Sequence, residues 1–137
     1  MGILGSFFSE KKNILVVDDD KNILRLLELL TQSAFKVVTV SDSAMAEEMV
    51  AKGIAFDAFL LDVMMPRISG VDLARKIRAK SRKPIVFMSG KLTPGDSEDL
   101  ADSVSNCHVF RKPFNCVEML AKLKQLTGAE KTPVEVG

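Results

Sequence analysis

Three short runs, Ile14–Val17, Ala58–Leu61 and Ile85–Met88, are apolar on every consecutive residue, and each gives way at once to a polar side chain. A strand with one wet face alternates. A strand that is apolar throughout is buried on both faces, as in a parallel sheet covered by helices. Weaker runs at Lys36–Val40 and Val109–Phe110 complete a set of five. Helical spacing separates them: Ile23, Leu26, Leu27 and Leu30; then Met45, Ala46, Met49 and Val50; then Gly70, Leu73, Ala74 and Ile77; finally Cys116, Met119, Leu120 and Leu123. A further helix is expected between Pro94 and Ser105, where Thr93 can cap, Pro94 suits the first turn and Asp96 occupies a capping-box position. This alternation predicts an α/β domain, a five-stranded parallel sheet sandwiched by five helices with right-handed crossovers.

The chain of 137 residues is long enough for one such domain and a single continuous core. Residues 1–12 form an N-terminal extension, 13–126 the domain, and 127–137 a flexible tail or linker stub after a helix stop at Gly128. The 19 Lys+Arg against 18 Asp+Glu leave a formal charge of +1, which gives no electrostatic case for a nucleic-acid or membrane-surface partner. No apolar run reaches membrane-spanning length, and a cytoplasmic location is expected. Cys107 and Cys116 lack metal spacing and read as reduced, buried thiols, and His108, the only histidine, reads as a strand-edge or loop residue. The start Met1-Gly2 with Ser6 matches a short acylation pattern, but Ile3, Leu4, Phe7 and Phe8 read better as an extra turn that packs on the domain or touches a partner. The seven methionines read as core filler, and the Lys/Arg run from Arg75 to Lys83 as the solvated face of the third helix.

In an open parallel sheet, ligands bind beyond the carboxyl ends of the strands. The first strand is followed by Asp18, Asp19 and Asp20, the third by Asp62, the fourth by Ser89, and the fifth leads to Lys112-Pro113. Ser41 and Asp42 follow the second, at the sheet edge, where no role is expected. Two carboxylates 4 Å apart repel by roughly 4 kcal/mol at an effective dielectric near 20, so several on one rim must protonate or recruit a cation. Oxygen ligands without histidine or thiolate favour Mg2+ over zinc. An ionised Asp beside Mg2+ and a lysine is poised as a nucleophile toward phosphorus, and Ser89 can donate to a phosphoryl oxygen.

Four segments then carry a specific resemblance: Ile14-Leu15-Val16-Val17-Asp18-Asp19-Asp20, Leu60-Leu61-Asp62-Val63-Met64-Met65-Pro66 with Gly70, Pro84-Ile85-Val86-Phe87-Met88-Ser89-Gly90, and Lys112-Pro113-Phe114. In order and spacing they resemble the signatures of the bacterial response-regulator receiver domain of two-component signalling, over roughly Asn13 to Leu126. The resemblance implies the flavodoxin-like receiver fold with strand order 2-1-3-4-5. It implies Asp62 as phosphoacceptor. It also implies Mg2+ on Asp19, Asp18, Asp62 and the Met64 backbone carbonyl, and Lys112 paired first with Asp62 and then with the phosphoryl group. Ser89 would be the switch hydroxyl, Lys112–Pro113 a cis peptide, and Asp20 a helix cap rather than a ligand. The partners implied are a histidine kinase or phosphotransfer protein and a downstream protein target. The protein would be a signalling receiver and not an enzyme beyond its own aspartyl phosphorylation and dephosphorylation.

Two departures stand out. Val109 fills the slot where the family usually has the aromatic that swings inward with the switch hydroxyl, and Phe110, one residue along a strand, points to the opposite face. Gly90 replaces a common alanine and widens access to Asp62. A docking module with weak or no phosphorylation-driven switching is therefore the second reading. A phosphatase with an aspartyl nucleophile would want a second Asp two residues on, where Met64 stands, and neither nucleotide-binding glycine motif is present.

Overall fold

The computed structural model describes residues 11–91, 99–100 and 102–129. Five strands, β1 (Lys12–Val17), β2 (Phe35–Val40), β3 (Ala58–Asp62), β4 (Ile85–Ser89) and β5 (Cys107–Arg111), form one sheet in the order β2-β1-β3-β4-β5, with every pairing parallel. The helices are α1 (Lys21–Thr31), α2 (Ser43–Ala51), α3 (Gly70–Arg78) and α4 (Cys116–Thr127). Four helices, not five, have both ends among the described residues. The expected helix after Pro94 is represented by helical backbone at Asp99–Leu100 and Asp102–Ser103, and its capping residues Thr93, Pro94 and Asp96 lie outside them.

Successive side chains of the central strands point to opposite faces, which produces two cores. Leu15, Val17, Phe59, Leu61, Ile85 and Phe87 pack with Ala46 and Val50 of α2, and with Leu73, Ala74 and Ile77 of α3. Ile14, Val16, Ala58, Leu60, Val86 and Met88 pack with Leu24 and Leu27 of α1, and with Met119 and Leu123 of α4. Being buried on both sides is what the unbroken apolar runs require.

Polar side chains begin each helix. Asp20, Asp42, Ser69 and Asn115 are N-caps that accept from the backbone N–H of Asn22, Ala44, Asp72 and Glu118, respectively. Gly128 ends α4 in the left-handed region at φ 76°, a conformation glycine adopts without steric cost.

Some expectations need correction. The buried stripe of α1 is Leu24, Leu27 and Thr31, while Leu26 is exposed. Met88 and Met119 do fill the core, but Met45 and Met64 are exposed. Both cysteines are free but only half-buried. His108 sits within β5, an edge strand. Arg78 is no solvated lysine-run neighbour: its guanidinium donates to the carbonyls of Ser81, Lys83, Ser105 and Asn106 at 2.7–3.2 Å.

Candidate functional site

The C-terminal ends of β1, β3 and β4 deliver Asp18, Asp62 and Ser89 to one rim, all buried, while Asp19 is exposed beside them. Carboxylate oxygens of Asp18, Asp19 and Asp62 all lie within 4.8 Å of one another. Asp20 turns away to cap α1, and its N–H donates to Asp18 Oδ1 at 2.9 Å, which fixes the Asp18 carboxylate.

Lys112 reaches this cluster from beyond β5. Its Nζ donates to Asp18 Oδ2 at 2.6 Å and stands 3.4 Å from Asp62 Oδ1. The expected first partner was Asp62; the tighter bond goes to Asp18. Asp18 is the more deeply buried of the two, and its other oxygen already accepts a backbone N–H, so the ammonium is drawn to the carboxylate with least access to water. The Lys112 N–H donates to the Ser89 carbonyl at 2.8 Å, and the Lys112–Pro113 peptide bond is cis. Ser89 Oγ, itself buried, accepts from the Lys91 N–H at 3.3 Å.

The electrostatics follow from this crowding. Burial, reinforced by the negative charge of Asp18, raises the Asp62 carboxyl from 3.8 to about 6, even though Lys112 pulls it down. Burial alone would lower the Lys112 ammonium, but its hydrogen bond to Asp18 and the charges of Asp18 and Asp62 lift it above its ordinary value. Three carboxylates face one ammonium, and the ligand set is oxygen without imidazole or thiolate. Such a set fits a hard divalent cation such as Mg2+.

The support of Asp62 comes partly from a residue whose role sequence spacing alone did not explain. A Cβ at Gly70 would sit 2.1 Å from the Asp62 carbonyl oxygen, and the Gly70 N–H donates to the Val63 carbonyl at 2.9 Å. Glycine lets the start of α3 press against the backbone that carries Asp62. Met64 is exposed beside the site. Val109 packs into the α2/α3 core, and Phe110 packs into the opposite one. Arg67, in the left-handed region at φ 67°, pairs with Asp42 at 3.3 Å. The two line a 250 Å³ cavity with Asp19, Ser41, Ser43, Met65 and Pro66. The edge residues Ser41 and Asp42 are thus neighbours of the acidic rim, brought there by β2 pairing with β1 up to Val17 and Val40 and by the Asp18 N–H donating to the Val40 carbonyl at 3.2 Å.

Comparison with known proteins agrees with this geometry. The response regulator receiver domain family matches residues 14–124. The response regulator ArlR of Staphylococcus epidermidis is 32% identical over 114 residues, covering 82% of this chain and 51% of that protein. Among solved structures, the BeF3-activated receiver domain of Thermotoga maritima DrrB superposes with TM-score 0.75 at 28% identity, covering 85% of this chain and 97% of that one. Vibrio cholerae CheY4, described as a chemotaxis protein, gives TM-score 0.76 at 26% identity, covering 85% and 99%. The chain belongs to the response regulator receiver family, a class of signalling domain. It spans about half the length of the curated relatives it matches. Among the described residues, no helix is long and apolar enough to cross a membrane.

Proposed function

We propose that Asp62 accepts a phosphoryl group from the phosphohistidine of a histidine kinase or phosphotransfer protein in the cytoplasm, and that the phosphorylated form acts through contact with a protein target. The observation that carries this reading is the convergence of Asp18, Asp19 and Asp62 within 4.8 Å, with Lys112 in contact with two of them. A carboxylate oxygen of Asp62 attacks phosphorus, a P–O bond forms, the P–N bond to imidazole breaks, and the imidazole leaves with its electron pair and takes a proton from water. Asp19, Asp18 and Asp62, with the Met64 carbonyl, would hold Mg2+, which supplies positive charge to the transferring group. Lys112 adds a charge-assisted donor once a phosphoryl oxygen competes for it with Asp18. Ser89 contributes a hydroxyl from the end of β4. The half-buried free thiols fit a reducing compartment.

The test is incubation with Mg2+ and acetyl phosphate followed by intact mass measurement. The expected outcome is a gain of one phosphoryl group that is lost with chelator and in Asp62→Asn. An unchanged gain in Asp62→Asn would overturn the assignment.

A second reading has its own observation. Val109 is half-buried against the α2/α3 core and Phe110 packs on the other side, so β5 offers no aromatic to follow Ser89. On that reading the domain docks its partner equally with and without beryllofluoride at Asp62, and a large difference in affinity excludes it.

A further inference from the structure

The turn between β2 and α2, at the sheet edge, is bonded to both sides of the acidic rim. On one side the Val40 carbonyl accepts from the Asp18 N–H at 3.2 Å, where β1 gives way to Asp18 and Asp19. On the other, the Ser43 hydroxyl donates to the Pro66 carbonyl at 3.1 Å. Pro66 belongs to the loop that carries Met64 away from Asp62. The segment from Val40 to Ser43 therefore joins the strand end that bears two of the carboxylates to the loop that follows the third.

That loop holds an unfavourable backbone. The Ile68 N–H returns to the same Pro66 carbonyl at 2.9 Å, closing a three-residue turn around Arg67 at φ 67°. A γ-turn with positive φ at its centre is rare and strained, and such strain persists only where the surroundings over-determine it. The loop is anchored at its ends by the Val63 N–H on the Met88 carbonyl and the Gly70 N–H on the Val63 carbonyl, both at 2.9 Å. Between those anchors the start of α2 supplies two contacts, Ser43 on Pro66 and Asp42 on Arg67. They are unequal. The Arg67 and Asp42 side chains are 70% and 41% exposed, and ion pairs so open to water contribute little. Ser43 is 2% exposed, so little water can replace its bond.

We propose that Ser43 is a positioning residue for the divalent cation, a role that rests on the reading that gives Mg2+ the Met64 carbonyl as a ligand. Ser43 itself ligates nothing. Its hydroxyl holds the strained turn after Met64 against the β2–α2 segment, whose Val40 end holds Asp18. The carbonyl and the carboxylates thereby keep one spacing. The brace matters most for Mg2+, which demands near-ideal octahedral geometry at about 2.0–2.1 Å, and less for Ca2+, which accepts more flexible sets at about 2.3–2.6 Å. Without the hydroxyl the turn can relax, and the smaller ion loses more.

The test is NMR titration of the full chain with MgCl2 or CaCl2, native against Ser43→Ala, the same spectra reporting that each chain is folded. The expected result is a loss of about tenfold in Mg2+ affinity in Ser43→Ala, with Ca2+ affinity kept within about twofold. Unchanged Mg2+ affinity overturns the proposal. An equal loss for both ions also overturns it, because a general loosening of the domain does not discriminate between them. A native chain that binds neither ion overturns the metal reading itself, and the role of Ser43 with it.

Discussion

The two ends of the sheet are built on opposite principles. At the N-terminal end, polar groups are matched. Asp57 and Asn13 exchange hydrogen bonds at 2.7 and 2.8 Å, Asn106 donates to the Arg82 carbonyl, and Arg78 gathers four carbonyls from the segments leading into β4 and β5. At the C-terminal end, three carboxylates share one ammonium, and Asp62 is held with its carboxyl raised to about 6. One end satisfies its charges internally; the other stores repulsion that an external cation can relieve. Stability and chemistry are separated along the strands, and substitutions at the two ends should part accordingly.

The largest effect is expected where backbone, not charge, sets the site. Gly70→Ala would put a Cβ 2.1 Å from the Asp62 carbonyl oxygen, a contact with main chain that no rotamer relieves. Denaturant unfolding should show a loss of about 3 kcal/mol, with Mg2+ binding weakened as Asp62 shifts. A stable Gly70→Ala domain with normal Mg2+ binding would show that α3 and β3 do not constrain each other. Next comes Arg78→Ala, which removes a donor shared by four carbonyls, of which that of Asn106 still accepts from the Ile85 N–H and only the bond to Ser81 is part-buried, and should cost about 1–2 kcal/mol. Phosphoryl gain at Asp62 in the surviving folded fraction should be unchanged. A selective loss of phosphorylation would break the separation of the two ends.

These two residues also show how much of the molecule was legible in its sequence. The unbroken runs at Ile14–Val17, Ala58–Leu61 and Ile85–Met88 announced a doubly covered sheet, because burial on both faces leaves no polar position. The strand ends then placed Asp18, Asp62, Ser89 and Lys112 on one rim. What stayed hidden depends on reach and direction. Arg78 sits in a basic run that reads as solvated, and only the fold brings the turns before β4 and β5 under its guanidinium. Spacing could name Lys112 but not its tighter partner, since the choice of Asp18 over Asp62 rests on relative burial. Leu26 fits the i, i+3 pattern of a core position, yet the wheel angle that counts is set by how α1 lies on the sheet.

Asp62→Asn should act in the opposite direction to the first two substitutions. The folded-state carboxyl titrates near 6 against 3.8 when unperturbed, so the folded protein binds the proton more tightly than the unfolded chain. The charge penalty is fully present above pH 6, is relieved as pH falls through 6, and is gone below 3.8. The shift caps the penalty at about 3 kcal/mol, and since Lys112 retains Asp18 at 2.6 Å, a gain of about 1–2 kcal/mol is expected in metal-free Asp62→Asn at pH 7.5. The advantage over the native chain should fade toward pH 4. Destabilisation at pH 7.5 would mean that Lys112 depends on Asp62 more than on Asp18. For the same reason Mg2+ should raise the melting temperature of the native chain more at pH 7.5 than at pH 5, where Asp62 is mostly protonated.

The smallest effect sharpens the contrast within the C-terminal end itself. Gly90 is exposed, carries no positive φ, and an added Cβ would meet only the Lys112 Cβ at 3.8 Å, an ordinary contact. Unlike Gly70, it is glycine without steric compulsion. Gly90→Ala should therefore leave stability within about 0.5 kcal/mol of the native chain, or raise it slightly by narrowing the unfolded ensemble. Its consequence should appear in kinetics, because the methyl stands over the lysine beside Asp62: the rate of phosphoryl gain from acetyl phosphate falls while the Mg2+ requirement is kept. A loss of 1 kcal/mol or more would show that the turn after β4 is as constrained as the start of α3, and that this rim is held by backbone fit on both sides of Asp62.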